Sequence, residues 1–276
     1  MHRMPLARFA LAWLAAILMA NAALAEDLVI PGSGNSEYVL GQLADAFNRQ
    51  QSQHRVAVPA STGTAGALRD VEAGTASIGR VGRPLKDEER GKGLSYLALG
   101  RDPVVFAAGA KTTVRALTQA QVMDIYRGRI ADWRELGGKP GPIRAIGREV
   151  TDASRQAISH LIKPFADLAF GENVKVVHLD PQMIELLDRF PTSVGFLNQS
   201  ALAACKTEVI RLALDGAQAT PENLENGRYP LWVEPGLIYK ATGLTPGGKT
   251  FLDFVKSPAG TRILREHGVV PAVSAR

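Results

Sequence analysis

Residues 148–155 read Arg-Glu-Val-Thr-Asp-Ala-Ser-Arg, which puts two guanidinium groups, two carboxylates and two hydroxyls into one octapeptide. Residues 142–146 predict a strand, Gly147 breaks it, and Ala157, Ile158, Leu161 and Ile162 follow at helical spacing. A junction of that kind can hold an anion. Asp152 or Ser154 can cap the helix, the free backbone N–H groups of its first turn point outward, and Arg148 stands just ahead of them. Arginine suits a tetrahedral oxyanion because its planar fork donates two parallel hydrogen bonds. The same residues also describe an ordinary capped helix with a surface ion pair.

Two other stretches offer similar chemistry. GSGNS at 32–36 and STGTAG at 61–66 each precede a helical pattern and carry hydroxyls and glycines. Glycine lets successive backbone N–H groups converge, a way to cradle an anion without a cationic side chain. Taken singly, each loop is also ordinary turn chemistry. Arg80 and Arg83 follow a third short strand, where they either reach a ligand or pair with Asp87, Glu88 or Glu89.

The elements that must position these residues alternate along the chain. A strand at 28–30, a helix at 37–49, a strand at 56–59, a helix at 65–72 and a strand at 77–81 predict an α/β class with largely parallel sheets. In such sheets ligands gather at the carboxyl ends of strands, where helix N-termini converge. Residues 103–110 form a continuous apolar run of the kind buried on both faces. No repeat, low-complexity segment or Pro-, Gly- or Ser-rich linker divides the chain.

Arg3 and Arg8 precede an apolar stretch at 9–20, and Ala23-Leu24-Ala25 supplies a small-residue cleavage site. This pattern predicts a secretory signal peptide over 1–25, since the apolar stretch is shorter than the about 20 residues a spanning helix needs. The formal charge is +5, and loss of Arg3 and Arg8 leaves +3. That mild, scattered basicity suits an anion ligand and carries no aromatic-basic nucleic-acid module. Cys205 is the only cysteine, which excludes an intramolecular disulfide; its apolar neighbours at 201–205 predict a buried packing residue in a helix. No cysteine stands at the cleavage site to take a lipid. The expectation is a soluble monomer, free in a periplasm and starting at Glu26.

Together with LTQAQVMDIYRGRIADWRELGG at 117–138, PENLENGRYPLWVEP at 221–235 and FLDFVKSPAGTRILREHGVVP at 251–271, these motifs resemble the periplasmic phosphate-binding family, the substrate-binding components of phosphate ABC importers. The resemblance covers nearly the whole chain beyond the signal. It implies a two-lobed type II periplasmic binding protein fold with a ligand cleft between the lobes. It further implies crossings near Pro103 and Tyr229, giving one lobe from 26–108 plus 230–276 and another from 109–229. By the same resemblance, Asn35 and Ser36 lie where the first family loop contacts phosphate, and Ser61, Thr62 or Thr64 where the second does. Arg148, Asp152, Ser154 and Arg155 fall on the segment that holds the anion from the opposite lobe. The implied partners are phosphate or another small oxyanion and an ABC permease in the inner membrane.

The chain departs from the family pattern twice. Within TASIGRVGRPL at 75–85, Gly82 replaces an aspartate that in the family accepts the proton of a protonated phosphate. The family's Arg-Glu-x-Gly-Ser-Gly-Thr-Arg becomes a segment with Thr151, Asp152 and Ala153 at its core. At about 4 Å and an effective dielectric near 20, a carboxylate repels each unit of anion charge by roughly 4 kcal/mol. Asp152 therefore caps its helix or pairs with Arg155 or Arg83, or it meets the ligand's proton in place of residue 82, or the ligand is not an oxyanion. A periplasmic sensor or docking protein on the same fold is the alternative function. A secreted hydrolase has less to support it, since His54, His160, His178 and His267 show no H-E-x-x-H spacing and no nucleophile elbow occurs. The expectation is a binder without catalytic residues, metal or cofactor.

Overall fold

The computed structural model describes residues 25–272, so nearly all of the expected signal segment lies outside the described residues. The chain enters along β1 (Glu26–Val29), α1 (Glu37–Gln50), β2 (His54–Ala57), α2 (Gly63–Glu72), β3 (Ile78–Val81), α3 (Asp87–Arg90) and β4 (Ser95–Ala98). The long β5 (Gly100–Ala108) leads into β6 (Ala116–Leu117), α4 (Gln119–Arg127), β7 (Arg144–Arg148), α5 (Ala153–Leu161), β8 (Lys175–Val177) and α6 (Asp180–Arg189). Then come β9 (Ser193–Asn198), α7 (Gln199–Leu202), β10 (Ile210–Leu214), α8 (Pro221–Glu225) and β11 (Trp232–Val233). The return is made by β12 (Gly236–Tyr239), α9 (Pro246–Lys256), α10 (Pro258–Glu266) and β13 (Val270–Pro271).

Apolar spacing explains the helices. In α1, Val39, Leu40, Leu43, Ala44 and Phe47 are buried, a three-and-four pattern that lays one face on the sheet. Helix α4 starts on a reciprocal Thr118–Gln121 capping box and stops at Gly128, whose φ of 79° is left-handed.

Two large cores result. One runs from Val104 to Val233 and surrounds β5, β7 and β9. Another joins Leu28, Val39, Leu43 and Phe47 to Leu237, Phe251 and Val269, which brings the two ends of the chain together. Strand β5 contributes Val104 to Ala108 to the first core, and Leu99 just before it belongs to the second. Within β5, Arg101 pairs with Val270, Asp102 with Val233, and Val104 to Ala108 with β9.

The fold is the expected two-lobed α/β fold, but the sheets are mixed. Parallel pairing joins β1 to β2, β7 to β8 and β9, and β6 to β10. Strands β9 and β10 run against β5, and β12 runs against β3 and β4. The reason lies in the crossings: strands joined by βαβ crossovers pair in parallel, whereas β5, which enters from the first lobe, and β12, which returns to it, run against their neighbours. Cys205 is also placed differently from expectation. It follows α7 and is only partly buried, and burial pushes its thiol up to about 11, where the reactive thiolate is scarce.

Candidate functional site

A cleft of about 560 Å³ opens where the first-lobe loops meet the starts of α5 and α6, and Asn35, Ser61, Thr64, Arg83, Arg148 and Asp152 are among its lining residues. Ser36, Thr62, Arg80, Gly82, Ser154 and Arg155 are not among them.

The first-lobe side is built on Arg80. The side chain is fully buried and spends its donors on the fold: Nε on Ser33 O at 2.8 Å, one terminal nitrogen on Ile30 O, the other on Pro59 O at 2.7 Å and Glu37 at 3.2 Å. It thereby ties the ends of β1 and β2 to α1. Arg80 therefore pairs with Glu37, not with the acidic run at 87–89. Gly32 makes this approach feasible: at its φ of 138° a Cβ would stand 2.0 Å from Arg80 O. Ser33 caps the short turn Gly34–Ser36. Ser61 donates to Gly32 O at 3.1 Å and accepts from Gly63 N–H, the Thr62 N–H goes to Gly32 O at 3.0 Å, and Thr64 Oγ1 accepts from Gly82 N–H. Ser36 Oγ is buried without a partner.

On the opposite side Arg148 ends β7 and lies between two carboxylates. One terminal nitrogen meets Asp152 Oδ2 at 2.9 Å and His178 O at 3.2 Å, and the other meets Asp180 Oδ1. Asp152 is also the N-cap of α5, accepting from Arg155 N–H at 3.0 Å. Both its oxygens are thus engaged. It caps as expected, but its cation is Arg148 and not Arg155 or Arg83. Burial pushes Asp152 up to about 6 against the pull of Arg148. Burial works against the charge on Arg148, yet Asp180 and Asp152 together hold its pKa above the ordinary arginine value. Arg155 points away from the cleft, donating to Arg148 O at 2.7 Å and lying 4.1 Å over Phe170. Arg83 forks onto Glu89 with two bonds of 2.8 Å. Among the described residues no group of three His, Cys, Asp or Glu side chains is arranged to hold a metal.

The lobes touch at Gly82. A Cβ there would come within 2.8 Å of Ser33 Oγ, 2.9 Å of Asn35 Oδ1 and 3.1 Å of the Ala153 methyl. An aspartate at that position would hold the seam apart and set its carboxylate against an amide oxygen. Across the seam Asn35 Nδ2 donates to Ser154 Oγ at 3.0 Å and Asn198 Oδ1 at 3.1 Å. Two polar atoms keep capacity: the donor Nε of Arg148, which lines the cleft, and the acceptor Oδ2 of Asp180, 3.8 Å from a Cβ placed on the lining residue Gly34, both buried and unpartnered. An unused donor and an unused acceptor suit a ligand that carries both negative oxygen and a hydroxyl hydrogen.

Asp180, Asn198, Asp102 and Glu37 carried no anion-site expectation from the sequence, where Asp180 beside His178 reads only as a metal pair without further ligands. Asp180 did leave a signal, an acidic residue ahead of Pro181 at the start of a helix, the same strand-to-helix junction that drew attention to Arg148.

Residues 20–259 match the family model described as a PBP superfamily domain. A phosphate-binding protein PstS of Bacillus subtilis is 26% identical over 262 residues, which cover 91% of this chain and 82% of the relative. A Clostridium perfringens protein assigned as a phosphate ABC transporter substrate-binding protein, solved with phosphate bound, superposes with a TM-score of 0.77 at 26% identity, covering 89% of this chain and 99% of that one. An ABC-type phosphate transport receptor from Vibrio cholerae shares the fold at a TM-score of 0.65 and 23% identity, covering 89% of this chain and 100% of that one. The chain belongs to the PBP superfamily, within which it is similar to the phosphate-binding substrate-binding proteins.

Proposed function

We propose that this protein is a periplasmic solute-binding protein that captures phosphate and delivers it to an ABC permease. The observation that carries the reading is the pair of unpartnered buried atoms, Arg148 Nε and Asp180 Oδ2, beside a cleft between two lobes. Arg148 Nε donates to a phosphate oxygen, and Asp180 Oδ2 accepts the hydrogen of its hydroxyl. The N–H groups at the starts of α2 and α5 add dipolar attraction. Asp180 then does the work for which Gly82 has no carboxylate and for which Asp152, with both oxygens already bonded to Arg148 and the Arg155 N–H, is the less available acceptor. Ser61, Thr64, Asn35 and Ser154 shape the cavity, and Arg80 and Arg155 hold it from behind.

The lobes in this reading are 26–108 plus 230–276 and 109–229, closing by a hinge through β5 and the β11–β12 return. The protein works as a monomer, released from a signal peptide over 1–25, and among the described residues no helix is long and apolar enough to cross a membrane. It binds and does not catalyse.

Thermal-shift titration with phosphate, sulfate, molybdate, phosphonates and small organic acids tests the reading. Phosphate well above its Kd raises the melting temperature; a shift from none of the anions overturns the proposal. Incubation with a phosphomonoester is expected to release no phosphate, and steady turnover would make the protein an enzyme.

A further inference from the structure

Asn198 ends β9 with its side chain fully buried at the meeting point of three parts of the molecule. Its Oδ1 accepts from Asn35 Nδ2 at 3.1 Å and from Ser154 Oγ at 2.8 Å. Its Nδ2 donates to Asn35 O at 3.1 Å and to Asp102 Oδ2 at 3.2 Å. An amide has two acceptor and two donor sites, and all four are filled. The orientation is also fixed. A flipped amide would turn its oxygen toward the Asn35 carbonyl and the Asp102 carboxylate and its hydrogens toward the Asn35 amide hydrogens.

The partners come from different bodies. Asn35 belongs to the first-lobe loop, Ser154 to the start of α5 in the second lobe, and Asp102 to the crossing strand β5. Asp102 is itself held by the backbone N–H of Ser200 at 3.2 Å and by the Ser200 hydroxyl. Parting the lobes breaks both bonds between Asn198 and Asn35 as well as the Asn35–Ser154 bond. The contacts of Asn198 to Ser154 and Asp102 survive, because they lie within the second lobe and its hinge. Closure thus returns Asn35 to a preset amide, and that amide also fixes where the hydroxyl of Ser154 points.

We infer that Asn198 is a positioning residue that couples lobe closure to the geometry of the anion cleft, acting through Asn35 and Ser154. The inference rests on the reading of the cleft as a phosphate site, but the latch itself involves no ligand. Its loss therefore shows in the shape of the protein as well as in binding.

The test compares the protein with Asn198→Ala and, as a control for simple destabilisation, with Val194→Ala in the core of the same strand. Small-angle scattering without and with inorganic phosphate reports lobe closure, and stopped-flow measurement of phosphate release reports the closed lifetime. For Asn198→Ala we expect a larger radius of gyration than the parent under at least one of the two conditions, and phosphate release about 10–100-fold faster with association little changed. Val194→Ala is expected to lower the melting temperature while leaving release unchanged. In a double-mutant cycle, the effects of Asn35→Ala and Asn198→Ala should be less than additive, because the two share the Asn35 Nδ2–Asn198 Oδ1 bond across the seam. An Asn198→Ala protein that matches the parent in both scattering and release overturns the inference and leaves the phosphate reading standing. If the parent binds no phosphate, that reading falls, and an unchanged radius in Asn198→Ala then overturns the latch as well.

Discussion

Two buried arginines at the same site meet opposite fates. Arg80 gives four of its five N–H donors to three carbonyls and one carboxylate and has every nitrogen engaged in the fold. Arg148 is gripped by two carboxylates and a carbonyl, yet its Nε has no partner. The difference lies in what supplies the acceptors. Backbone carbonyls at fixed positions make a scaffold joint, whereas side-chain carboxylates neutralise a charge and leave it able to reach outward. Chemical type at a cleft therefore says little about role until the acceptors are counted.

The largest expected effect separates the two directly. Arg80→Ala strands three buried carbonyls and the Glu37 carboxylate, and loss of such a partner costs about 3–5 kcal/mol. Thermal unfolding should show a steep fall in melting temperature, and a mild one would mean that the joint carries little load. Arg148→Ala should reverse the balance. Phosphate affinity drops about 10–100-fold, the worth of a hydrogen bond from a charged donor, while stability falls less because Asp152 can take up a proton. Equal stability losses in the two variants would erase the distinction.

The two carboxylates on Arg148 should also differ from each other. Asp180→Asn changes the one free acceptor, so the preference for phosphate over sulfate should shrink about tenfold. Asp152→Ser keeps a good N-cap and removes one counter-charge from Arg148, so every oxyanion should bind a few-fold tighter with the preference intact. Calorimetric titration of both variants with both anions checks this, and a lost preference in Asp152→Ser would return the proton-accepting role to that residue.

The smallest effect is on stability against pH. Burial raises Asp102 to about 7, against hydrogen bonds from Ser200 and Asn198, and raises Asp152 to about 6. A carboxyl whose folded pKa lies above its unfolded value binds protons more tightly when folded, so stability should climb as pH falls from 8 toward 4. Glu89 acts in the opposite sense. Its bond from Arg83 holds it down at about 2, and its contribution is lost as pH falls from its unfolded value of about 4.5 through 2. Chemical denaturation across this range should therefore peak near pH 4–5, and a peak at pH 8 would contradict the placement of Asp102 and Asp152.

The sequence made some of this legible because the interactions are local. Asp152 capping the helix that follows Arg148 needs only four residues of chain, and the alternation of strands and helices declares the class. Asp180 was hidden because 32 residues separate it from Arg148. Only the parallel pairing of β7 with β8, which sets Arg148 beside Val177, brings the two junctions together. Asn198 and Asp102 meet through the register Val104 to Asn198 on an antiparallel pair that the expectation of parallel sheets did not contain. The sequence set Arg80 after the third strand, whereas it lies inside β3, and its burial depends on loops arriving from residues 30, 33 and 59 at once.

The central claim is that the cleft holds an oxyanion carrying a hydrogen, bound by Arg148 and read by Asp180. Calorimetric titration of the protein with phosphate and with sulfate at one pH tests it most directly. The expected result is one phosphate per chain and sulfate at least tenfold weaker; equal binding of the two anions, or heat from neither, would contradict it.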